Sequence, residues 1–345
     1  MSVFVARPVR QGTASGEAPS SPIRVAYLID RLSRAGTEMQ LLGIIRSLDR
    51  SQVLPWLVLL DGEDDESQRL APAECPVLRL GVRSLASVRA VRAAWRLARW
   101  LRRNRIDVVQ TYFIDSTLFG VAVARWAGVR RVVRVRNNLG YWLTRRHRWW
   151  NRMIEAGIDV TLTNSQAGRE SLMAEGIPPE RIVVMENGVE IEKFAAAPPR
   201  FGNPLRIGAI ANLRPVKGLD LLIRAAAELT RKYDHLLFEV AGEGPQREEL
   251  ERLIRELGLE SRFILRGSVS DIPEFLARLD IAVLPSRSES LSNALLEAMA
   301  SGRAIVATRV GAASKLIDDG VERLLVEPED VSGLARAMEF MVQHP

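Results

Sequence analysis

Only one cysteine, Cys75, occurs in 345 residues, so no intramolecular disulfide and no cysteine-ligated zinc cluster can form within the chain. That points towards the cytosol. Histidine is nearly as scarce at three, and no patterned Ser-His-Asp triad is built from them. No Asp-x-Asp occurs, which removes the usual acidic pair for a metal-bound diphosphate; no metal site is expected. Long apolar runs are missing as well. Stretches such as residues 53–60 fall far short of the roughly 20 residues a spanning helix needs, so the chain is expected to be soluble or to sit on a membrane surface. The first 22 residues lack the apolar core of a secretory signal and read as a flexible tail rich in Gly, Ser and Pro. Of 48 basic residues only Lys193, Lys217, Lys232 and Lys315 are lysine; the +6 net charge is arginine, which codon bias explains as readily as an anionic partner.

What is present is an ordinary globular balance, 47% apolar and 26% charged, in a chain long enough for two α/β domains. Residues 281–308 organise it. An apolar run (281–284), a Pro/Ser/Arg loop, a helix closed by Gly302 and a second apolar run (304–308) form one βαβ unit. Ser290 or Ser292 can cap the helix carrying residues 293–300, leaving the amides of Leu291, Ser292 and Asn293 free to meet an anion. Glu289 precedes that helix and Glu297 lies within it. Carboxylates do not suit a phosphate, but they accept hydrogen bonds from sugar hydroxyls. On spacing alone, a capped helix with two solvated acids fits equally.

The row Ser286, Glu289, Ser292-Asn293-Ala294-Leu295-Leu296-Glu297-Ala298-Met299-Ala300, Gly302, Val306-Ala307-Thr308 and Gly311 resembles the two-glutamate signature of family-4 retaining glycosyltransferases of the GT-B fold. The resemblance implies an α/β protein with two Rossmann-like domains facing a central cleft. It further implies that Glu289 touches the donor hexose, Glu297 holds the nucleotide ribose, and the amides of Ser290, Leu291, Ser292 and Asn293 bind the diphosphate. No cofactor is implied. The co-substrate would be a UDP- or GDP-sugar, and the acceptor a glycan or lipid-linked hydroxyl.

Taken in order, residues 23–30 read as a buried strand and 37–48 as a helix; Gly36 permits close approach to the backbone and Thr37 can cap. Relatives carry Gly-Gly-Thr-Glu here, lining the acceptor side. Residues 53–60 form a strand and 61–66 an acidic loop. From Arg83 to Arg105, Arg89, Arg92, Arg96, Arg99 and Arg103 recur at helical spacing, with Val88, Val91, Trp95 and Ala98 on another side. This basic amphipathic helix could lie on an anionic membrane surface or simply cover a sheet; no nucleic-acid motif accompanies it. Strands at 107–112 and 131–136 bring Asp115, Asn137, Asn138 and Gly140 to a carboxyl edge, where open α/β sheets bind ligands. Many relatives have a histidine at that edge; the amides here resemble an exopolysaccharide-type subgroup. Residues 141–152 interleave aromatics with arginines, suiting a sugar, a membrane interface or an interdomain helix. The Asn164-Ser165 pair and Asn187-Gly188-Val189 match marks of the end of the family's first domain.

Residues 195–204 (AAAPPRFGNP) read as a linker, dividing an acceptor domain (23–197) from a donor domain (198–345). A strand at 205–210 and a helix at 219–232 enclose Asn212, Arg214, Lys217 and Gly218. A lysine and an arginine before a helix can neutralise a leaving diphosphate, and the pair resembles the family's phosphate clamp, although the family arginine is Asn212. Gly242-x-Gly244 opens like a dinucleotide fingerprint, but Arg247 stands where the third small residue belongs, which rejects NAD. In relatives this turn, with Gly267 and Val269, lines the donor side and the base. Beyond Gly311, Ala312, Lys315 and Arg323 depart from the family pattern, and the helix that crosses back onto the first domain is expected to be missing. These departures keep open a non-catalytic scaffold relative in a polysaccharide assembly; a nucleotide-sugar epimerase, which shares the double-Rossmann layout, is a second alternative, for which no acid/base residues are found. The leading expectation is a hexosyltransferase of cell-surface polysaccharide synthesis, cytoplasmic or peripheral at the inner membrane face.

Overall fold

The computed structural model describes residues 21–140, 145–194, 201–318 and 323–344. Its strands form two sheets, and every strand pair described in register is parallel. The first holds β1 (Ile23–Ile29), β2 (Val53–Leu59), β3 (Val77–Arg79), β4 (Val108–Tyr112), β5 (Arg131–Val135), β6 (Val160–Thr163) and β7 (Ile182–Val184), in the order β3-β2-β1-β4-β5-β6-β7. The second holds β8 (Leu205–Ile210), β9 (Leu236–Ala241), β10 (Phe263–Gly267), β11 (Ile281–Leu284), β12 (Ala304–Thr308) and β13 (Arg323–Val326), in the order β10-β9-β8-β11-β12-β13.

Both orders follow from composition. A strand covered on two faces must be apolar along its length rather than alternating, and Val25 to Ile29 of β1 are all buried, as are Ile207 and Ala209 of β8. Each first strand therefore sits inside its sheet, and the winding reverses beside it. That reversal opens the crevice in which doubly wound sheets take ligands. These are two Rossmann-like α/β domains, as expected from the sequence.

Helices alternate with the strands: α1 (Gly36–Ser47), α2 (Asp65–Leu70), α3 (Val88–Arg103), α4 (Ile114–Ala127), α5 (Arg145–Glu155), α6 (Gln166–Ala174), α7 (Leu219–Thr230), α8 (Arg247–Glu256), α9 (Ile272–Ala277), α10 (Asn293–Ala300), α11 (Ala313–Leu316) and α12 (Val331–Gln343). By contact density the chain forms two compact units, one of residues 42–132 with the described residues up to Leu32, the other of Ser33–Leu41 with the described residues from Val133 onward. In the second unit α7 and α12 lie together over the sheet, with Leu222, Ala226 and Met338 fully enclosed in a core with Phe238 and Ile281.

Local differences from the sequence reading have local causes. The acidic stretch 61–66 is not wholly loop: Asp64 accepts from Ser67 N at 2.8 Å and caps α2. Helix α1 begins at Gly36, so Thr37 lies within its first turn instead of capping it. The buried apolar side of α3 is Ala90, Ala93, Leu97, Ala98 and Leu101; Val88, Val91 and Trp95 lie outside it. Residues 1–20, 141–144 and 195–200, which hold most of the expected tail, the start of the aromatic stretch and most of the linker, lie outside the described residues.

Candidate functional site

Two loops leave the carboxyl ends of neighbouring strands β8 and β11 and meet. After β8 the chain makes a 3-10 turn at Pro215–Lys217 and reaches Gly218 at φ 62. A Cβ on Gly218 would fall 2.0 Å from the Pro285 carbonyl oxygen, so only glycine lets the loops close. Arg287 then staples them. Its backbone N donates to Val216 O at 2.8 Å, and its guanidinium grips both carboxylate oxygens of Asp220 at 2.7 Å.

This closure delivers Lys217 Nζ to Glu289 Oε1, a direct ion pair, while Ser286 Oγ donates to the same oxygen at 3.0 Å. Their side chains remain 24% and 17% exposed, dry enough to strengthen the pair and open enough to admit a ligand. Thr308 Oγ1, at the end of β12, donates to Ser286 O at 2.6 Å and anchors the loop from its other side. Ser286, Glu289, Ser292, Leu295 and Thr308 line a small pocket with Leu284, Ala307, Val310 and Ala313.

Ser292, not Ser290, caps α10, with its hydroxyl 3.4 Å from Leu295 N. Ser290 is committed elsewhere. Its hydroxyl donates to Asn164 Oδ1 at 2.6 Å and lies 2.7 Å from Ser165 Oγ, which itself caps α6 by accepting from Gly168 N at 3.0 Å. Asn293 is tied just as fully: its Nδ2 donates to Gly36 O at 2.9 Å, and its Oδ1 accepts from Asn187 Nδ2 at 2.6 Å. A Cβ on Gly36 would meet Nδ2 of Asn293 at 2.7 Å, so the neighbour for which Gly36 leaves room is Asn293. With these side chains turned away, what Ser290, Leu291, Ser292 and Asn293 offer an anion is backbone N–H at a helix start.

Glu297 follows Asn293 by four residues and shares its side of α10. Among the described residues its carboxylate has no partner, and burial pushes its pKa up to about 7. An unpaired, partly buried carboxyl group is costly unless something donates to it.

The remaining predicted residues fall into place unevenly. Arg214 is exposed at the head of the 3-10 turn, where its carbonyl accepts from Lys217 N at 2.9 Å, and Asn212, also exposed, supports Arg214 N at 2.8 Å. Gly242 N donates to Gly267 O at 2.8 Å, joining the turns after β9 and β10; Val269 packs beneath against the core containing Phe275. Asn138 closes its own loop by accepting from Gly140 N at 3.0 Å, and among the described residues neither it nor Asn137 hydrogen-bonds to residues 286–293. Asp115 is exposed in the first turn of α4, in the other unit. Sequence reasoning missed Arg287 and gave no site role to Asn164, Ser165 or Asn187. The Asn-Ser and Asn-Gly pairs were visible, but only folding brings them to residues 290 and 293.

Two family profiles match. Residues 204–344 match "Glycosyl transferases group 1" and residues 23–188 match "Glycosyl transferase 4-like domain". The chain is 39% identical over 143 residues to an alpha-D-kanosaminyltransferase of Streptomyces kanamyceticus, covering 41% of this chain and 36% of that one. A 2-deoxystreptamine glucosyltransferase of the same organism is 29% identical over 311 residues, covering 80% and 79%. Among solved structures, Anabaena HepE in complex with UDP and glucose superposes with a TM-score of 0.81 at 21% identity, over 93% of this chain and 90% of that one. Profiles, relatives and fold agree: the chain belongs to the family-4-type glycosyltransferases of the GT-B fold.

Proposed function

We propose that this chain transfers a hexose from a nucleoside diphosphate sugar to a hydroxyl of a glycan or lipid-linked acceptor, with retention at the anomeric carbon, in cell-surface or exopolysaccharide synthesis. The observation that carries the reading is the Lys217–Glu289 pair beside the amide-lined start of α10, one turn from unpartnered Glu297. Each part has a task. The ribose hydroxyls donate to Glu297, the diphosphate lies on the amides of residues 290–293, and Glu289 orients the hexose through its hydroxyls. As the anomeric C–O bond breaks, Lys217 and Arg214 neutralise the departing phosphate, so preorganised charge lowers the barrier. The acceptor oxygen bonds to the anomeric carbon from the same face, and its proton passes to a phosphate oxygen of the leaving nucleoside diphosphate. No side-chain base is required, and Lys217 with the helix amides does the work of a metal.

Before the donor arrives, Glu289 holds Lys217. The donor's phosphate exchanges places with that carboxylate around the ammonium group, which frees Glu289 for the sugar. HepE was crystallised with UDP and glucose, which makes uridine the first base to try. We place the enzyme in the cytoplasm, at the inner face of the membrane. The deciding experiment is a panel of UDP-, GDP- and ADP-sugars assayed by calorimetric binding and by donor hydrolysis. Binding of one base with slow hydrolysis supports transfer; binding without turnover for any acceptor tried favours a scaffold subunit; no binding rejects both.

A further inference from the structure

The outward side of α3 combines a row of arginines with exposed apolar side chains. Its sequence VRAVRAAWRLARWLRR carries six arginines and no acidic residue. Arg89, Arg92, Arg96, Arg99 and Arg103 are exposed, and none of them is ion-paired among the described residues. Several arginines elsewhere are held by carboxylates, as Arg134 is by Glu155 at 3.0 Å and Arg287 by Asp220 at 2.7 Å.

A helix that only covered a sheet would need one apolar stripe. Here that stripe is Ala90, Ala93, Leu97 and Leu101, all buried. A second apolar row, Val88, Val91 and Trp95, stands on the opposite side at spacings of three and four, with exposures of 70%, 71% and 55%. The Arg99 guanidinium lies 5.5 Å from the Trp95 ring centre. Beside the last turn of α3, Arg102 lies 5.8 Å from the ring centre of Trp126 on α4, which is 54% exposed. Two exposed tryptophans, each under a guanidinium and flanked by unpaired arginines, match an interface with apolar matter below and negative charge above.

We infer that this face of α3 docks flat on an anionic lipid bilayer, with Val88, Val91, Trp95 and Trp126 entering the headgroup boundary and the arginines lying among the lipid phosphates. The inference takes up the membrane element of the proposed function but stands on α3 and the neighbouring Trp126 of α4, so its failure leaves the transfer chemistry standing. A soluble polyanion such as RNA would satisfy the arginines and leave the valines in water; a lipid surface uses both. The acceptor, if lipid-linked, is then met in two dimensions.

Flotation of the full chain with vesicles of phosphatidylcholine, with and without phosphatidylglycerol, decides it. Binding is expected only to the anionic vesicles and is expected to fall steeply with added salt. Arg92→Gln, Arg96→Gln and Arg99→Gln together should weaken it about 100-fold, each basic residue near the surface being worth about a factor of five. Trp95→Ser with Val91→Ser should weaken it at least about 10-fold while leaving thermal unfolding unchanged, since both side chains are exposed. Equal binding to neutral vesicles, no binding, or anionic binding indifferent to the Trp95 and Val91 changes would each overturn the proposal. The last outcome, matched by equally tight binding to a homopolymeric RNA, would mark the face as a site for soluble polyanions.

Discussion

Ser290 Oγ lies 2.6 Å from Asn164 Oδ1, a bond between residues 1% and 2% exposed that lie 126 positions apart in the chain. It fixes the loop that presents Glu289, because Ser290 has no freedom to turn while that carboxamide accepts from it. A buried hydroxyl left without its partner costs about 1–3 kcal/mol. Asn164→Ala and Ser290→Ala should each lower the unfolding free energy by that amount and speed amide exchange over residues 286–293. Because the two substitutions share the Ser290–Asn164 bond, the double variant should cost less than the sum of the single ones. Additive losses in denaturant titrations would show that the two act separately.

Among the described residues Lys217 is the one full charge delivered directly to Glu289, and in the proposed reaction it meets the leaving phosphate. Lys217→Ala should lower turnover by ~10²-fold or more, the usual effect of removing one preorganised donor from a leaving group. Lys217→Arg should recover only part of it, because a planar fork does not reproduce a point charge on a short loop. Unchanged kinetics in Lys217→Ala would sink the clamp. Glu289→Gln separates the roles: it keeps the size of the side chain, releases Lys217 and weakens the hold on the sugar, so donor binding should change less than hydrolysis.

How much of this was legible before folding depends on the distance over which each feature is encoded. The strands were legible because parallel strands buried on both faces must be apolar throughout, as in residues 25–29 and 281–284. The capped helix, with Glu289 just before it and Glu297 within it, was legible because it lies in one short βαβ unit; the roles expected of the two carboxylates came from the family resemblance and not from spacing. The choice between Ser290 and Ser292 as cap was not legible, because both are local candidates and the decision came from Asn164. Which side of α3 is buried was not legible for a related reason. Periodicity gave the row Val88, Val91, Trp95 and Ala98 beside the arginines and left open what it meets, whereas packing buries Ala90, Ala93, Leu97, Ala98 and Leu101.

Gly311 offers a test of how tightly the site loop is held. It sits at φ 54, and a Cβ there would fall 2.1 Å from Glu289 O and 2.5 Å from Ser290 O. Gly311→Ala therefore meets both a disfavoured backbone and two carbonyls, and should destabilise by more than about 1 kcal/mol while lowering nucleotide affinity. Gly43 is its control. It lies in the interior of α1, where an added methyl would have nothing within 4 Å beyond its own helical turn, so Gly43→Ala should stabilise by roughly 0.5–1 kcal/mol and leave binding alone. Equal effects from both would mean that the contact with residues 289 and 290 is not decisive.

Glu297 makes the site sensitive to pH in a direction that its burial dictates. Its pKa stands at about 7 instead of 4.5, raised by desolvation, so the native protein binds a proton that the unfolded chain has already released between those values. Below about 4.5 both states are protonated and there is no penalty. As pH rises from there through about 7, the unfolded state gains and stability falls, levelling off above. The shift bounds the loss at about 3 kcal/mol. Glu297→Gln should flatten that slope and stabilise the ligand-free protein at pH 8. Binding should show the converse dependence: ribose hydroxyls donate to the ionised carboxylate, so UDP or GDP affinity should rise between pH 6 and pH 8, with a proton released on binding near pH 6.5. Calorimetry in buffers of different ionisation enthalpy reads that proton directly. A wild-type protein that binds nucleotide with no proton release, or a Glu297→Gln variant that binds with unchanged affinity at pH 8, would remove Glu297 from the ribose.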